Sequence, residues 1–492
     1  MPNPSTRHAA EFTWLEGLAL CLAMIGVQLS SEVINTWGTY FYSPSAGVGR
    51  TIYVAVGIVG YIFIIGTVWD AVISPLVGAL SDKTMTVSGR WRLLPIRGRR
   101  LPYIFWGSVC MPVTAVAFWY PPFQEQSVLN FLYGTALLCL HWTFFALVYI
   151  PLLALGPEIA RTEEGRIKIG TWIAVGMIVG LALAAMLPGV LIELLDPARQ
   201  DIAAQVDAAV AVSAVEAVGH SDDVPRYSPA GYRRLALLLA LVSLILFQLP
   251  VWLIRERYDS GSVPVSEPPF YEGFFDAFRN KPFVVYAISF FLFSAGFMAA
   301  QRVLPYWVEL GLGGSEETVT YTMVPFIAVA LLSYLVIPHA ARYLHVKWML
   351  FCALFIIASG MPLMYLIGAS ALDSGVKIKL GMALFAWCGI GQGIIYVMMT
   401  PIMGEIIDYD ERRSGRRREA LYNGLSGVAW KASMAISVFI ATQSMSVWGN
   451  SAERHTGVLL VGPIAGVFAF LGLFTICFYP RLDKASGIHS GL

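Results

Sequence analysis

The chain has 492 residues, of which 57% are hydrophobic and only 13% charged, with a formal net charge of +1. Soluble domains carry about 25% charged residues, so a string of soluble domains is excluded, and the near-neutral balance offers no surface for nucleic acid. The apolar residues fall in blocks of about 20 to 30, the length of helix that crosses ~30 Å of hydrocarbon.

In chain order, apolar blocks are expected at 13–40, 51–80, 101–122, 127–158, 167–194 and 232–255, then at 281–308, 318–341, 347–369, 378–407, 419–447 and 456–480. The first has no small-residue cleavage site behind a short apolar core and reads as an uncleaved helix. Two interruptions organise the rest. One is an acidic segment at 195–231 with Asp196, Asp201, Asp207, Glu216, Asp222 and Asp223. The other is a connection at 256–280 with Pro264, Pro268 and Pro269. The expected architecture is an all-α membrane protein of twelve transmembrane helices: an N-terminal six-helix bundle (1–255), a cytoplasmic linker (256–280) and a C-terminal six-helix bundle (281–492).

Lys and Arg concentrate in alternate loops: Lys83 to Arg100, Arg161 to Lys168, Arg255 to Lys281, Arg342 with Lys347, and Arg412 to Arg418. By the positive-inside rule those loops are cytoplasmic, as are both termini, in an inner membrane. The halves also echo each other. Pro157-Glu158-Ile159 after helix four matches Gly404-Glu405-Ile406 after helix ten, with Glu164-Gly165-Arg166 and Gly415-Arg416 following.

Few charges lie inside the apolar blocks, and each is costly there. Asp70 sits ten residues before Leu80 in the second block, ~15 Å deep and near the bilayer midplane. Lys431 lies twelve residues after Glu419 in the eleventh, at ~18 Å. The two are expected to pair, either as a structural tie or as a coupling device in which a cation arriving at Asp70 releases the lysine. Gln28 and Glu32 in helix one, Arg302 and Glu309 in helix seven, and Gln392 among Gly389, Gly391 and Gly393 in helix ten either line a cavity or bond helix to helix. Trp172 and Trp430, with Trp37, Trp69, Trp142 and Trp387, either stack on a sugar ring or anchor helices at the interface. The six cysteines lie inside apolar blocks without ligand spacing, and the seven histidines are scattered. No metal cluster, nucleophile triad or phosphate loop appears, so an enzyme is not expected.

The stretch WDAVISPLVGALSDK at 69–83, with GR at 89–90 and GRRLPYI at 98–104, resembles the glycoside–pentoside–hexuronide:cation symporter family of the major facilitator superfamily. IPLLALGPEIA with EEGR after helix four, GEIIDYDERRSGRRREALYNG after helix ten and GVAWKASMA in helix eleven agree with it, so the resemblance spans both halves. It implies a two-bundle major facilitator fold, alternating access and cation-coupled uptake of a small solute. Asp70 matches the first acid of the family's helix-two cation motif and Lys431 its helix-eleven lysine. The second acid falls on Ser74, which favours a proton over sodium, with Thr67 and Ser74 as neutral oxygen ligands should a metal ion be used. The family's sugar-binding acid on helix four falls on Tyr149, its tryptophan on Leu153 and its helix-five arginine on Ile173, so a substrate other than melibiose is expected.

Charges at the cytoplasmic helix ends are gating candidates: Asp82, Arg99, Arg100, Glu158 and Arg166 in the first half, Glu405, Asp408 and Arg416 in the second. Their alternative is ordinary positive-inside loop charge. The sequence thus points to a monomeric, proton-coupled symporter of a glycoside or other small organic solute, with no cofactor and no resident metal. A lysolipid carrier of the same fold is one alternative, and a membrane sensor or assembly factor without transport is another.

Overall fold

The computed structural model describes residues 12–84, 98–160, 162–197, 228–256, 277–340, 343–415 and 418–480. The acidic stretch 198–227, most of the linker (257–276) and Arg416 therefore lie outside the described residues, as does the side chain of Asp82. Contacts divide the chain into two compact units, Met1–Ser262 and Val263–Leu492.

The first unit holds α1 (Trp14–Tyr42), α2 (Val56–Lys83), α3 (Leu101–Phe118), α4 (Val128–Ile159), α5 (Glu163–Leu195) and α6 (Ala230–Leu253). The second holds α7 (Lys281–Tyr306, running on as a π-turn over Trp307–Leu312), α8 (Glu316–Ala340) and α9 (Val346–Gly360, resuming over Leu363–Ala369). After these come α10 (Ser374–Ser414), α11 (Glu419–Trp448) and α12 (Thr456–Ile476). Among the described residues, eleven spans are long and apolar enough to cross a membrane; α8 adds a helix of 25 residues. Large side chains left exposed are apolar along their length, among them Val72 and Leu76 on α2, Leu241 and Ile245 on α6, and Val467 and Phe470 on α12. A soluble protein rarely presents so much contiguous apolar surface.

The helix starts follow capping chemistry. Thr13 and Glu16 form a capping box before α1, the Glu16 carboxylate accepting the Thr13 N–H at 2.7 Å. Thr162 Oγ1 accepts the Gly165 N–H before α5, and Asp373 the Gly375 N–H before α10. Such caps satisfy donors that the first turn cannot.

Within the first unit α1 packs on α5 and α6, α4 on α2 and α3, and α3 on α6. The second unit repeats the scheme six helices later: α7 packs on α11 and α12, α10 on α8 and α9, and α9 on α12. Close approach depends on glycine. Gly176 of α5 faces the Cys21 carbonyl of α1, and Gly180 four residues on would place a Cβ 2.8 Å from the Ile25 Cα. In the second unit, Gly389 of α10 would place one 2.5 Å from the Phe326 carbonyl oxygen of α8, and Gly391 one 2.8 Å from that of Ala353 on α9. The glycine run in α10 is thus a helix-packing device, as small residues at membrane helix contacts usually are.

This gives a first expected result. Alanine gains up to ~1 kcal/mol over glycine inside a helix, but overpacking against backbone that cannot rotate away costs about 1–3 kcal/mol. Gly176→Ala is therefore expected to lower the apparent Tm. Gly170→Ala, on the same helix with nothing within 4 Å of the new methyl, is expected to raise it. Thermal unfolding of the two variants in detergent checks the pair, and equal shifts would contradict the packing account.

Three elements differ from the sequence expectation. Helix ten was expected to end at 407, yet α10 continues to Ser414 and stops at Gly415 with φ +67°. The run EIIDYDERRS is charged but contains no breaker, so charge alone does not end the helix. Helix nine breaks at Met361–Pro362 and resumes; the proline there has no N–H to continue the ladder. The π-turn after Pro305 widens the helix between Arg302 and Glu309, so the seven-residue spacing no longer sets both on one line.

Candidate functional site

Asp70 stands midway along α2, with Thr67 and Ser74 one turn to either side on the same face. The Ser74 hydroxyl donates to Asp70 Oδ1 at 2.8 Å. Thr67 directs its own hydroxyl to the Phe63 carbonyl, also at 2.8 Å, so its proton is used within the helix. Trp69 fixes the register of α2 on α4 by donating from Nε1 to Thr143 Oγ1 at 2.9 Å. Tyr149 of α4 stacks on Phe145 with ring centroids 5.4 Å apart and lies within electrostatic reach of Asp70. Asp70, Ser74 and Tyr149 thus form one group on the first unit.

The remaining cavity candidates of that unit have contacts of their own. Gln28 donates weakly to the Met177 carbonyl of α5 at 3.5 Å, and Glu32 is half-buried one turn further along α1. The Trp172 indole lies directly over Gly17, where a Cβ would meet it at 2.6 Å. That ring packs α5 against the start of α1.

In the second unit Lys431 is half-buried on α11. Its neighbour Trp430 stacks on Phe290 of α7, 5.7 Å between centroids at 23°. Arg302 is 5% exposed and donates from Nε to Ser437 of α11 at 3.3 Å, tying α7 to α11. Gln392 is 5% exposed on α10, and its Oε1 has no hydrogen-bond partner among the described residues.

At the α2–α3 end of the first unit, three of the gating candidates, Arg99, Arg100 and Glu158, come together. Glu158, in the last turn of α4, receives both Arg99 Nη2 and Arg100 Nε on one carboxylate oxygen at 2.7 Å. Arg100 also reaches Ser81 of α2 at 3.5 Å. Arg166 instead donates to the Ala160 carbonyl at 3.3 Å. Glu256, just past α6, is a residue that the sequence reasoning missed. Its carboxylate accepts the backbone N–H groups of Arg99, Arg100 and Leu101, the last two at 2.6 and 2.7 Å. A carboxylate at a helix N-terminus meets orphan donors and the positive end of the helix dipole.

The second unit has its own cluster, and it differs from the expected one. Asp408 is exposed, and Glu405 accepts from the Tyr479 hydroxyl at 3.5 Å. The buried acid is Asp410, 2% exposed, held by both Nε and Nη2 of Arg418 at 2.9 Å. Tyr422 lies against that pair and accepts from Asn280, the N-cap of α7, at 2.9 Å. Lys347 at the head of α9 donates to the Cys477 and Tyr479 carbonyls at the end of α12, at 2.6 and 2.7 Å. The repeat therefore ties α3 to α6 by a carboxylate and α9 to α12 by an ammonium, each with the sign that its helix end favours.

Comparison with known proteins adds to this geometry. A family model described as MFS/sugar transport protein matches residues 20–483. An uncharacterized symporter of Synechocystis is 22% identical over 524 residues, covering 92% of each chain. The isoprimeverose transporter of Lactiplantibacillus pentosus is 20% identical over 92% of this chain and 84% of its own. Sodium-dependent lysophosphatidylcholine symporter 1 of Gallus gallus is 21% identical over 85% and 78%. In three dimensions the crystal structure of the nucleoside transporter NupG matches with a TM-score of 0.60 at 10% identity, covering 94% of this chain and 99% of that one; at that identity the likeness is one of fold. With apolar helices of membrane-crossing length in both units and a family match from one end of the helical region to the other, this multi-pass membrane protein belongs to the MFS/sugar transport protein family.

Proposed function

We propose that the chain is a proton-coupled symporter of a glycoside or similar small organic solute, working by alternating access between two six-helix bundles in the inner membrane, with both termini cytoplasmic. The observation that carries this is Asp70, a carboxylate in the middle of a membrane-crossing helix with a hydroxyl on its oxygen. Holding a charge at that depth costs roughly 2.5–3.5 kcal/mol on insertion scales, a cost that a coupling site offsets through function. With Ser74 where a second acid would stand, the site has one ionisable ligand on α2, which suits a proton better than a metal ion. Lys431 is its proposed counter-charge when empty, and protonation of Asp70 releases it.

A lysolipid carrier is the second candidate. It draws on the lysophosphatidylcholine symporter among the relatives and on Tyr149, Leu153 and Ile173, which replace the polar sugar-binding positions expected from the family resemblance. That relative is named as sodium-dependent, so sodium belongs in the test. Purified protein is heated with isoprimeverose or with lysophosphatidylcholine, at pH 5.5 and 8, with and without sodium. A ligand at 100 times its Kd stabilises the folded state by about 2.7 kcal/mol. Stabilisation by the glycoside that changes with pH and not with sodium is expected; stabilisation by the lysolipid alone would move the assignment to the second candidate.

A further inference from the structure

The two neighbours of the Asp70 carboxylate differ in what holds them there. Ser74, which donates to Oδ1 at 2.8 Å, is four residues on in the same helix, so it travels with the acid however α2 moves. Tyr149, within electrostatic reach of Asp70, stands on α4. Its ring is braced on that side, stacked on Phe145 at 5.4 Å, with Trp142 edge-on to Phe145 at 5.2 Å. The relation between Asp70 and Tyr149 therefore depends on how α2 is turned against α4.

A hydrogen bond fixes that turn. Trp69 donates from Nε1 to Thr143 Oγ1 of α4 at 2.9 Å. Thr143 gives its own proton to the Cys139 carbonyl, also at 2.9 Å, so toward α2 its oxygen acts as an acceptor. An indole N–H can only donate, and hydrocarbon offers no water to take it instead. The Trp69 ring is 43% exposed, so packing alone does not hold it. Nearby contacts between the two helices are apolar. A Cβ at Gly66 would meet Leu138 at 2.8 Å, and one at Gly78 would meet Ile150 at 3.7 Å. Apolar contact is non-directional; a hydrogen bond has a required distance and angle. Trp69 and Asp70 are adjacent, about 100° apart around the helix, so fixing the indole fixes the direction of the carboxylate. Side-chain ends stand about 5–6 Å from a helix axis, and a turn of about 15° would move the acid by roughly 1.4 Å.

We propose, resting on the reading of Asp70 as the proton-binding group, that Thr143 is a positioning residue for the Asp70 carboxyl. It acts through the Trp69 indole, holding α2 at the rotation that presents the acid to Tyr149. Ser74 fixes the carboxylate within its own helix, and Thr143 fixes that helix against its neighbour.

Infrared difference spectra of the full chain in liposomes, between pH 5.5 and pH 8, read the protonated carboxyl directly. The band missing from Asp70→Asn belongs to Asp70, and its frequency reports the surroundings of the carboxyl. Thr143→Val keeps the shape of the side chain without the acceptor, and Trp69→Phe removes the donor. Each is expected to shift the band, and the double variant to shift it no further than either alone, as for two ends of one interaction. Thr143→Ser keeps the oxygen and should leave the band at the parent frequency. Unchanged Tm values, within a few degrees, show that the fold is kept; should Thr143→Val fall outside that range, Trp69→Phe carries the comparison. A band that stays in place in the folded variants would overturn the positioning role and leave the reading of Asp70 intact. No Asp70 band in the parent would overturn both.

Discussion

Asp410→Asn is expected to lower the stability of the second unit by about 3–5 kcal/mol, the range found when one partner of a buried ion pair is removed. Asp410 is 3% exposed in its side chain and Arg418 19%, and two parallel N–H···O bonds of 2.9 Å join them. Without the carboxylate the guanidinium keeps its desolvation cost and loses its counter-charge. The loss spreads, because Tyr422 lies against the same acid and accepts from Asn280, which links α10, α11 and α7. Asp408→Asn, two residues away on an exposed face, is expected to change stability by less than about 0.5 kcal/mol. Thermal unfolding of the two variants side by side decides the matter. A similar small shift in both would mean that the pair is a surface contact, and Arg418→Asp combined with Asp410→Arg should recover part of the loss if the pairing is what matters.

Removing the Glu256 carboxylate should loosen one helix end more than any other. Three backbone donors at the head of α3 depend on it, and a bond to a charged group contributes about 1.5–3 kcal/mol net of its exchange with water. The site is half-exposed, so water replaces part of that, and a net cost of about 2 kcal/mol is expected for Glu256→Ala. Glu256→Gln keeps an acceptor oxygen but not the charge and should cost less. Amide hydrogen exchange at residues 99–101 reads the effect locally. Faster exchange there, ahead of the rest of α3, is the expected result. Unchanged exchange in Glu256→Ala would show that the carboxylate does not hold the helix head. Gly98, whose Cβ would sit 2.6 Å from the same carboxylate, explains why this approach is possible at all.

The spans were legible because apolar runs of membrane length leave little choice of structure, and the six-helix repeat showed in the Glu158 and Glu405 segments before any contact was known. The closeness of Ser74 to Asp70 was legible, since residues four apart on a helix are neighbours, but the hydrogen bond between them was not. The charged clusters at the helix ends were only half legible. In DYDERRSGRRR, neighbouring acids and arginines compete for the same role, and two residues turn the helix by about 200°. Asp408 therefore faces out while Asp410 faces in, and nothing local in the sequence says which. Glu256 is harder still, because its partners are backbone N–H groups on a helix 155 residues earlier in the chain. The α10 extension is hidden because a charged run looks like a loop, whereas Gly415 is the true stop.

Solute uptake into proteoliposomes, driven by an inward proton gradient and a membrane potential of about 100 mV, tests the proposed coupling most directly. The probe is radiolabelled isoprimeverose, with parent protein and Asp70→Asn compared with and without sodium. One coupled charge across that potential is worth ~2.3 kcal/mol, roughly a 50-fold concentration ratio. The account predicts accumulation in the parent, independent of sodium, and its loss in Asp70→Asn with exchange at equal concentrations retained. Accumulation by Asp70→Asn equal to the parent would contradict it.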